Sequence, residues 1–464
     1  MSSSRRHFLK QASAIALGFS GLHHFVGAGM PGRDNQSRWA NRFGPLQPDP
    51  DGILDLPDGF SYQIISRHGE RMDDGFFVPH RADGMATFPG PDGLTLLVRN
   101  HEVSVGADRE EGPFRNDDAL AARLSPEQVY DVDGDGIPCA GGTTTVVYNT
   151  EAQRVERQFL SLVGTERNCA GGPTPWNTWI TCEETVRRAG DNCEHDHGYP
   201  FEVPATATPR LAEPVPIKAM GRFNHEAVAV DPASGIVYQT EDRGDGLVYR
   251  YIPDEPGNLL RGGRLQALVV TDQPRLDTRN WETETVPTGA PMAVRWIDLD
   301  DIEAPDDDLR LRGFEAGAAR FARGEGMWYS DGGAIFFACT NGGRIEKGQI
   351  WKYTPSAHEG TQHEADAPGM LELFAEPNDG GLIDNADNLT VSPWGDLIVC
   401  EDGSGEQYLA GVTPDGSFYK FAHNAMDNDS EMAGATFSPD GSTFFINIQH
   451  AGLTLAVTGP WDKA

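Results

Sequence analysis

Pro393-Trp394-Gly395-Asp396-Leu397-Ile398-Val399-Cys400-Glu401-Asp402 reads as a tight turn, a short apolar strand and an acidic end. Pro and Gly supply the dihedrals that a turn needs, and the β-branched run that follows favours extended chain. The same order recurs at Pro175-Trp176-Asn177-Thr178-Trp179-Ile180-Thr181-Cys182-Glu183-Glu184. Looser copies begin at Pro91, Pro232, Asp331 and Pro439, and run to Asn100-His101-Glu102, Glu241-Asp242, Cys339-Thr340-Asn341 and Asn447. Several are followed by a second hairpin, such as Gln349-Ile350-Trp351-Lys352-Tyr353. Six copies of a unit that cannot bury its faces alone predict an all-β fold, a six-bladed β-propeller with loop insertions. Two β-sandwiches with coincidentally similar turns are the competing architecture.

The chain has 464 residues, with 70 Asp and Glu against 37 Lys and Arg, for a formal net charge of −33. Such a surface excludes nucleic acid and anionic membrane as partners, because both attract basic proteins. It also repels itself unless bound cations offset part of it.

At the N-terminus, Ser4-Arg5-Arg6-His7-Phe8-Leu9-Lys10 precedes a weakly apolar run from Ala12 to Val26. This pattern resembles a twin-arginine export signal, with a cleavage point after Ala28. The expected organisation is a signal over residues 1–28, a linker over 29–50 and a catalytic propeller over 51–464. The expected partner is the twin-arginine export machinery. The destination is periplasmic or extracellular, with no stable membrane insertion once the signal is gone. Six cysteines in an exported chain can form disulfides or serve as ligands, and the sequence does not choose among the pairings.

Polar residues recur at the strand ends: Asn100, Glu183, Glu241, Asn341, Glu401 and Asn447, with Glu102, Glu184, Asp242 and Asp402 beside them. A second set, Asp83, Glu226, Glu325, Asp387 and Glu431, precedes the turns. Around a common axis these positions form a ring of carboxylates. Like charges so arranged resist ionisation, and cations resolve the conflict. Oxygen ligands suit Ca²⁺, whereas a thiolate at Cys182 suits iron or zinc. Arg323 lies two residues from Glu325, hence on the same side of an extended chain, and its fork suits an oxyanion. Asp131-Val132-Asp133-Gly134-Asp135-Gly136 copies half an EF-hand loop, but Gly142 stands where the bidentate Glu belongs, so an Asp/Gly turn is favoured. The acidic stretches Asp300–Asp308 and Glu359–Asp366 read as solvated loops.

Taken together, several motifs resemble the PhoX-type alkaline phosphatases from about residue 50 to the C-terminus. They are Arg99-Asn100-His101-Glu102, Asn168-Cys169-Ala170-Gly171-Gly172-Pro173-Thr174-Pro175-Trp176, Thr181-Cys182-Glu183-Glu184, Asn224-His225-Glu226, Arg323-Gly324-Glu325-Gly326, Asp387-Asn388-Leu389 and Cys400-Glu401-Asp402. The resemblance implies a phosphomonoesterase acting on small phosphate esters, with Ca²⁺ and a two-iron Fe³⁺ centre around a bridging oxygen. It implies Cys182 as the iron thiolate. Glu226, Glu325 and Asp387, with the acids of Glu183/Glu184, Glu241/Asp242 and Glu401/Asp402, would be oxygen ligands. Arg323 would clamp the phosphate, aided by Asn100 or Asn168, and a metal-bound oxide or hydroxide would be the nucleophile. The sequence departs from the family pattern at His450-Ala451-Gly452, where His-Pro-Gly is expected. Two other readings compete: a calcium-dependent lactonase or phosphotriesterase, and a non-catalytic, calcium-stabilised binding propeller.

Overall fold

The computed structural model describes residues 39–104, 106–426 and 430–463. The expected export signal lies outside the described residues, as does the first part of the expected linker. The described part of that linker is docked. Trp39 bridges to Phe418, and Phe43 lies edge-on to Phe60, Trp394, Phe421 and Trp461.

The expected turns form where the sequence puts them. Gly395 and Gly441 sit at φ +90° and +71°, a region open to glycine, and Asn177 at +62° takes the same place in its own unit. The chain is built of antiparallel strands, and its two described α-helices, Asp118–Ala121 and Leu309–Glu315, are short. No helix among the described residues is long and apolar enough to cross a membrane.

One strand starts each of the six repeat units: Ala82–Pro89, Asn168–Pro173, His225–Val230, Gly324–Tyr329, Ala386–Val391 and Met432–Phe437. Each packs against the next and the last packs against the first, giving a propeller-like arrangement around a common axis. Glycines permit the approach. A Cβ on Gly172 would lie 2.0 Å from the Val228 carbonyl oxygen, and one on Gly326 would lie 2.6 Å from the Leu389 nitrogen.

Hydrogen bonding divides the strands into five sheets, not the six separate blades expected. The third and fourth units share one nine-stranded sheet. Strand Met292–Asp298, from the insertion after Val270, pairs with Gly263–Val270 along its length and then with Met370–Ala375 through Met292↔Leu371 and Ala293↔Met370. An edge strand offers unpaired backbone groups, and the insertion satisfies both edges at once. The last sheet is completed from the other end of the chain, by Ser61–Arg67 pairing with Leu453–Thr458.

The core lies between the sheets, where Trp179, Trp351, Tyr249 and Tyr251 are fully buried. One sequence expectation changes here, and one open question closes. Glu359 is not solvated: it and Glu364 hold the buried Arg250, with the Arg250 Nη1 to Glu359 Oε1 distance at 2.5 Å. All six cysteines are free thiols, so no disulfide staples the fold.

Candidate active site

The six first strands share one irregularity. Each has a register shift close to its start, between Ala82/Met85, Asn168/Gly171, His225/Val228, Gly324/Met327, Ala386/Leu389 and Ala433/Thr436. A bulge leaves a residue unpaired and re-aims its side chain. In five units the residue that enters the bulge is Asp83, Cys169, Glu226, Glu325 or Asp387; in the sixth it follows Ala433 and no ligand stands there.

A second position converges on the first. The residue after each second strand donates its backbone N–H to the residue just before the first strand. These bonds are Glu102 to Arg81, Glu184 to Arg167, Asp242 to Asn224, Thr340 to Arg323, Asp402 to Asn385 and Gln449 to Glu431, all between 2.9 and 3.2 Å. Three equivalent positions, repeated six times, therefore line one end of the axis. Ligand-type atoms fall within 4.8 Å of one another in four overlapping trios: Asp83, Glu102 and Cys169; Cys169, Glu184 and Glu226; Glu226, Glu325 and Asp387; Asp387, Asp402 and Glu431.

Of the residues expected from sequence, Glu184, Glu226, Glu325, Asp387 and Asp402 are brought together here, and Asp242 joins through Arg323. Glu183, Glu241 and Glu401 are not. Each is the last residue of its strand, and neighbours alternate sides. Glu183 accepts from His197 Nδ1, Glu166 N and Gly198 N; Glu241 from the Tyr249 hydroxyl and Leu247 N; Glu401 from Lys420 Nζ, Asp384 N and Tyr408 N. These three carboxylates tie loops to strands. Cys182 lies in an apolar cluster with Ile180, Val228 and Tyr249, and Cys400 sits equivalently among Ile398 and Phe444. The thiol that the structure puts beside the acids is Cys169. The signal for it was present: Asn168-Cys169-Ala170 aligns with Ala82-Asp83-Gly84 and Gly324-Glu325-Gly326 once the bulges set the frame.

Glu226 defines the electrostatics. It is fully buried, and among the described residues neither of its carboxylate oxygens has a hydrogen-bond partner. An uncompensated buried carboxylate costs several kcal/mol. Burial first, then the Glu184, Asp387, Asp83 and Asp242 charges, push its carboxyl well above the usual range. Burial and neighbouring acids act likewise on Glu325, Asp83 and Glu431, and hold Asp402 at about 7. Burial and the same acids raise the Cys169 thiol. A thiol beside buried carboxylates, one of them without any partner, is a donor set that fits cations, soft at Cys169 and hard where only oxygens meet. Protein donors alone leave it unsatisfied.

Arg323 stands at the edge of this cluster with φ +53°, a strained backbone for an arginine. Nε and Nη2 grip Asp242 at 2.8 and 2.9 Å, and Nη2 also reaches Glu325 at 2.9 Å, while Nη1 makes no hydrogen bond among the described residues. The two expected asparagines are otherwise engaged. Asn100 donates to the Cys169 and Ala170 carbonyls and accepts from Trp179; Asn168 accepts from Thr165 and donates to Thr181. The Asn224 amide oxygen, by contrast, is buried and has no hydrogen-bond partner among the described residues. Asn224 and Glu184 line an open cavity of about 670 Å³ beside the cluster.

The half EF-hand folds as a clamp. Asp131 accepts from the backbone of Val132, Glu194 and His195 and meets His197 Nε2 at 3.0 Å, while His197 Nδ1 meets Glu183 at 2.7 Å. With Cys193, these residues form a fifth close trio, but its polar atoms are spent on one another and on the backbone.

A propeller-like all-β frame whose axis gathers carboxylates, one thiol and a half-free guanidinium defines a class of hydrolase built to meet an oxyanion. The family model for alkaline phosphatase PhoX matches residues 41–452. The chain belongs to the PhoX alkaline phosphatase family and is a phosphatase, which decides against the lactonase and binding-module readings. Its fold is similar to that of Pseudomonas fluorescens PhoX in complex with vanadate, a transition state analogue. That likeness has 16% identity, 93% of this chain and 99% of the other covered, and a TM-score of 0.65. A gluconolactonase from Xanthomonas campestris aligns at 13% identity over 90% and 98% of the two chains, with a TM-score of only 0.33. No curated protein matches the chain in sequence.

Proposed function

We propose that the chain is an exported, metal-dependent phosphomonoesterase. Asp83, Glu102, Cys169, Glu184, Glu226, Glu325, Asp387, Asp402 and Glu431 would hold its cations. Iron fits best where Cys169 meets Glu184 and Glu226, and calcium where Asp387, Asp402 and Glu431 offer oxygen alone. The observation that carries this reading is Glu226, whose two buried oxygens have no protein partner. When bound, the cations supply Lewis acidity toward the phosphate oxygens.

The chain's own residues do the rest. Asp242 and Glu325 fix the Arg323 fork, so its free Nη1 meets a non-bridging phosphate oxygen without reorganisation and stabilises charge that grows in the transition state. The Asn224 side chain orients the ester at the cavity mouth. Raised carboxyls around the cluster retain protons until cations displace them, so loading releases protons. The paired Arg5-Arg6 and the apolar run after them support export by the twin-arginine route to the periplasm or beyond. Free thiols throughout suit a chain that folds before it is exported.

Metal analysis of the purified protein, run beside hydrolysis of p-nitrophenyl phosphate with and without a calcium chelator, tests the reading. Iron and calcium with chelator-sensitive turnover are expected. Turnover that survives complete metal removal would overturn it.

A further inference from the structure

The cavity beside the cluster is not neutral. Arg167, Arg187 and Arg243 line it, against Glu184 and Asp191. This concentration of guanidinium stands out in a chain with net charge −33. Each arginine is braced from behind and keeps donors in reserve. Arg167 bonds Glu102 and Glu184 through Nη2 only, and its buried Nε has no partner. Arg187 grips the buried Glu166 through Nε and Nη2 and sends Nη1 to the Asp191 carbonyl. Among the described residues, Arg243 makes one side-chain bond, Nη2 to Asp307 at 3.3 Å, and its other guanidinium donors have no partner there.

Arg243 follows Asp242 directly. Asp242 turns to Arg323 in the cluster, and Arg243 turns to the cavity wall. Asn224 and Glu184 line the same cavity as these guanidiniums, so an ester bound beside Asn224 would have them within the same space. An apolar or neutral leaving group makes no use of those donors, whereas a second anion does.

We infer that the preferred substrates are small organic molecules carrying two phosphate groups, one cleaved at the cluster and the other held in the cavity by Arg243 and Arg187. The inference rests on the phosphomonoesterase reading and deepens it by naming the leaving group. Arg243 acts here as a specificity determinant, since it contacts the part of the substrate that is not transformed.

Fructose 1,6-bisphosphate and fructose 6-phosphate differ by the second phosphate and serve as probes with the metal-loaded enzyme. The native enzyme should favour the bisphosphate in kcat/KM by about tenfold, chiefly through KM, as expected for one added charge-assisted contact. In Arg243→Gln this preference should shrink toward unity, and Arg243→Glu should invert it. Arg243→Lys, which keeps the charge and loses the fork, should retain part of it. Because Arg243 has a single ion pair, to the partly exposed Asp307, these variants are expected to fold. Equal turnover of the two sugars by the native enzyme, or a preference that Arg243→Glu leaves intact, overturns the inference alone. No turnover of either sugar or of p-nitrophenyl phosphate overturns the phosphomonoesterase reading, and this inference falls with it.

Discussion

Arg323 and Asp242 form a two-toothed ion pair, Nε to Oδ1 at 2.8 Å and Nη2 to Oδ2 at 2.9 Å, across two consecutive repeat units. The pair aims the guanidinium before any substrate arrives. Arg323→Lys keeps the charge but loses the fork, and kcat on p-nitrophenyl phosphate should fall by about 10²-fold with little change in melting temperature. Asp242→Asn, which leaves the arginine charged but loosely held, should lower kcat less than Arg323→Lys does.

Two cysteines separate the bulge frame from the strand-end frame. Cys169→Ala should remove iron and abolish turnover while the fold persists, read by metal analysis and circular dichroism. Cys182→Ala should keep both metal and activity and cost about 1 kcal/mol of stability, as a small deletion in an apolar cluster does. Loss of iron in Cys182→Ala alone would reverse the assignment.

Chelation should expose the repulsion that cations hide. Burial first, then Asp387, raises the Asp402 carboxyl from 3.8 to about 7, so the metal-free fold binds its proton more tightly than the unfolded chain does. Its stability should therefore be greatest below about pH 4 for this group and be lost as pH rises through about 7. Melting of the chelated protein should fall steadily from pH 5 to pH 8, and restoring calcium and iron should flatten that slope.

His197 sits between two carboxylates, Glu183 and Asp131, with no exposed surface. Burial alone lowers its pKa, but Glu183 and Asp131 outweigh it and hold it at about 10. The charged imidazole stabilises the fold fully below about 6.5, and that contribution is lost as pH rises through 10. Replacing it with Gln should cost about 3 kcal/mol at neutral pH, because two buried carboxylates lose their cation. The gap between native and His197→Gln in urea denaturation should narrow at pH 10.

The turn-and-strand units were legible because their signals are local. Pro, Gly and a period of two fix each hairpin regardless of what surrounds it. The ring of acids was legible through repetition, since Glu226, Glu325 and Asp387 keep one spacing from their turns. What failed was everything set by a single residue of register. Whether Glu183 or Glu184 faces the axis depends on where the strand ends, and both are Glu. Cys182 beside an acidic pair looked like a ligand, yet the bulge at Asn168/Gly171 delivers Cys169 instead. The merging of two units through Met292–Asp298 was invisible, because an edge strand chooses its partner across long stretches of sequence. Asn100 and Asn168 carry the right chemistry but spend it on packing neighbours, Asn100 on the adjacent sheet through Cys169, Ala170 and Trp179, which only three dimensions reveal.

The seam between Ser61–Arg67 and Leu453–Thr458 makes the centre a check on completeness. Beside that seam, Gln449 reaches from the last unit to the first and donates to Asp83 Oδ2 at 2.6 Å. A chain cut short before Leu453 holds every proposed ligand, from Asp83 to Glu431, but lacks the strand that pairs with Ser61–Arg67 and completes the last sheet. If the centre takes cations as proposed, their capture would report that synthesis has finished, and a truncated copy should emerge empty and be left to proteolysis.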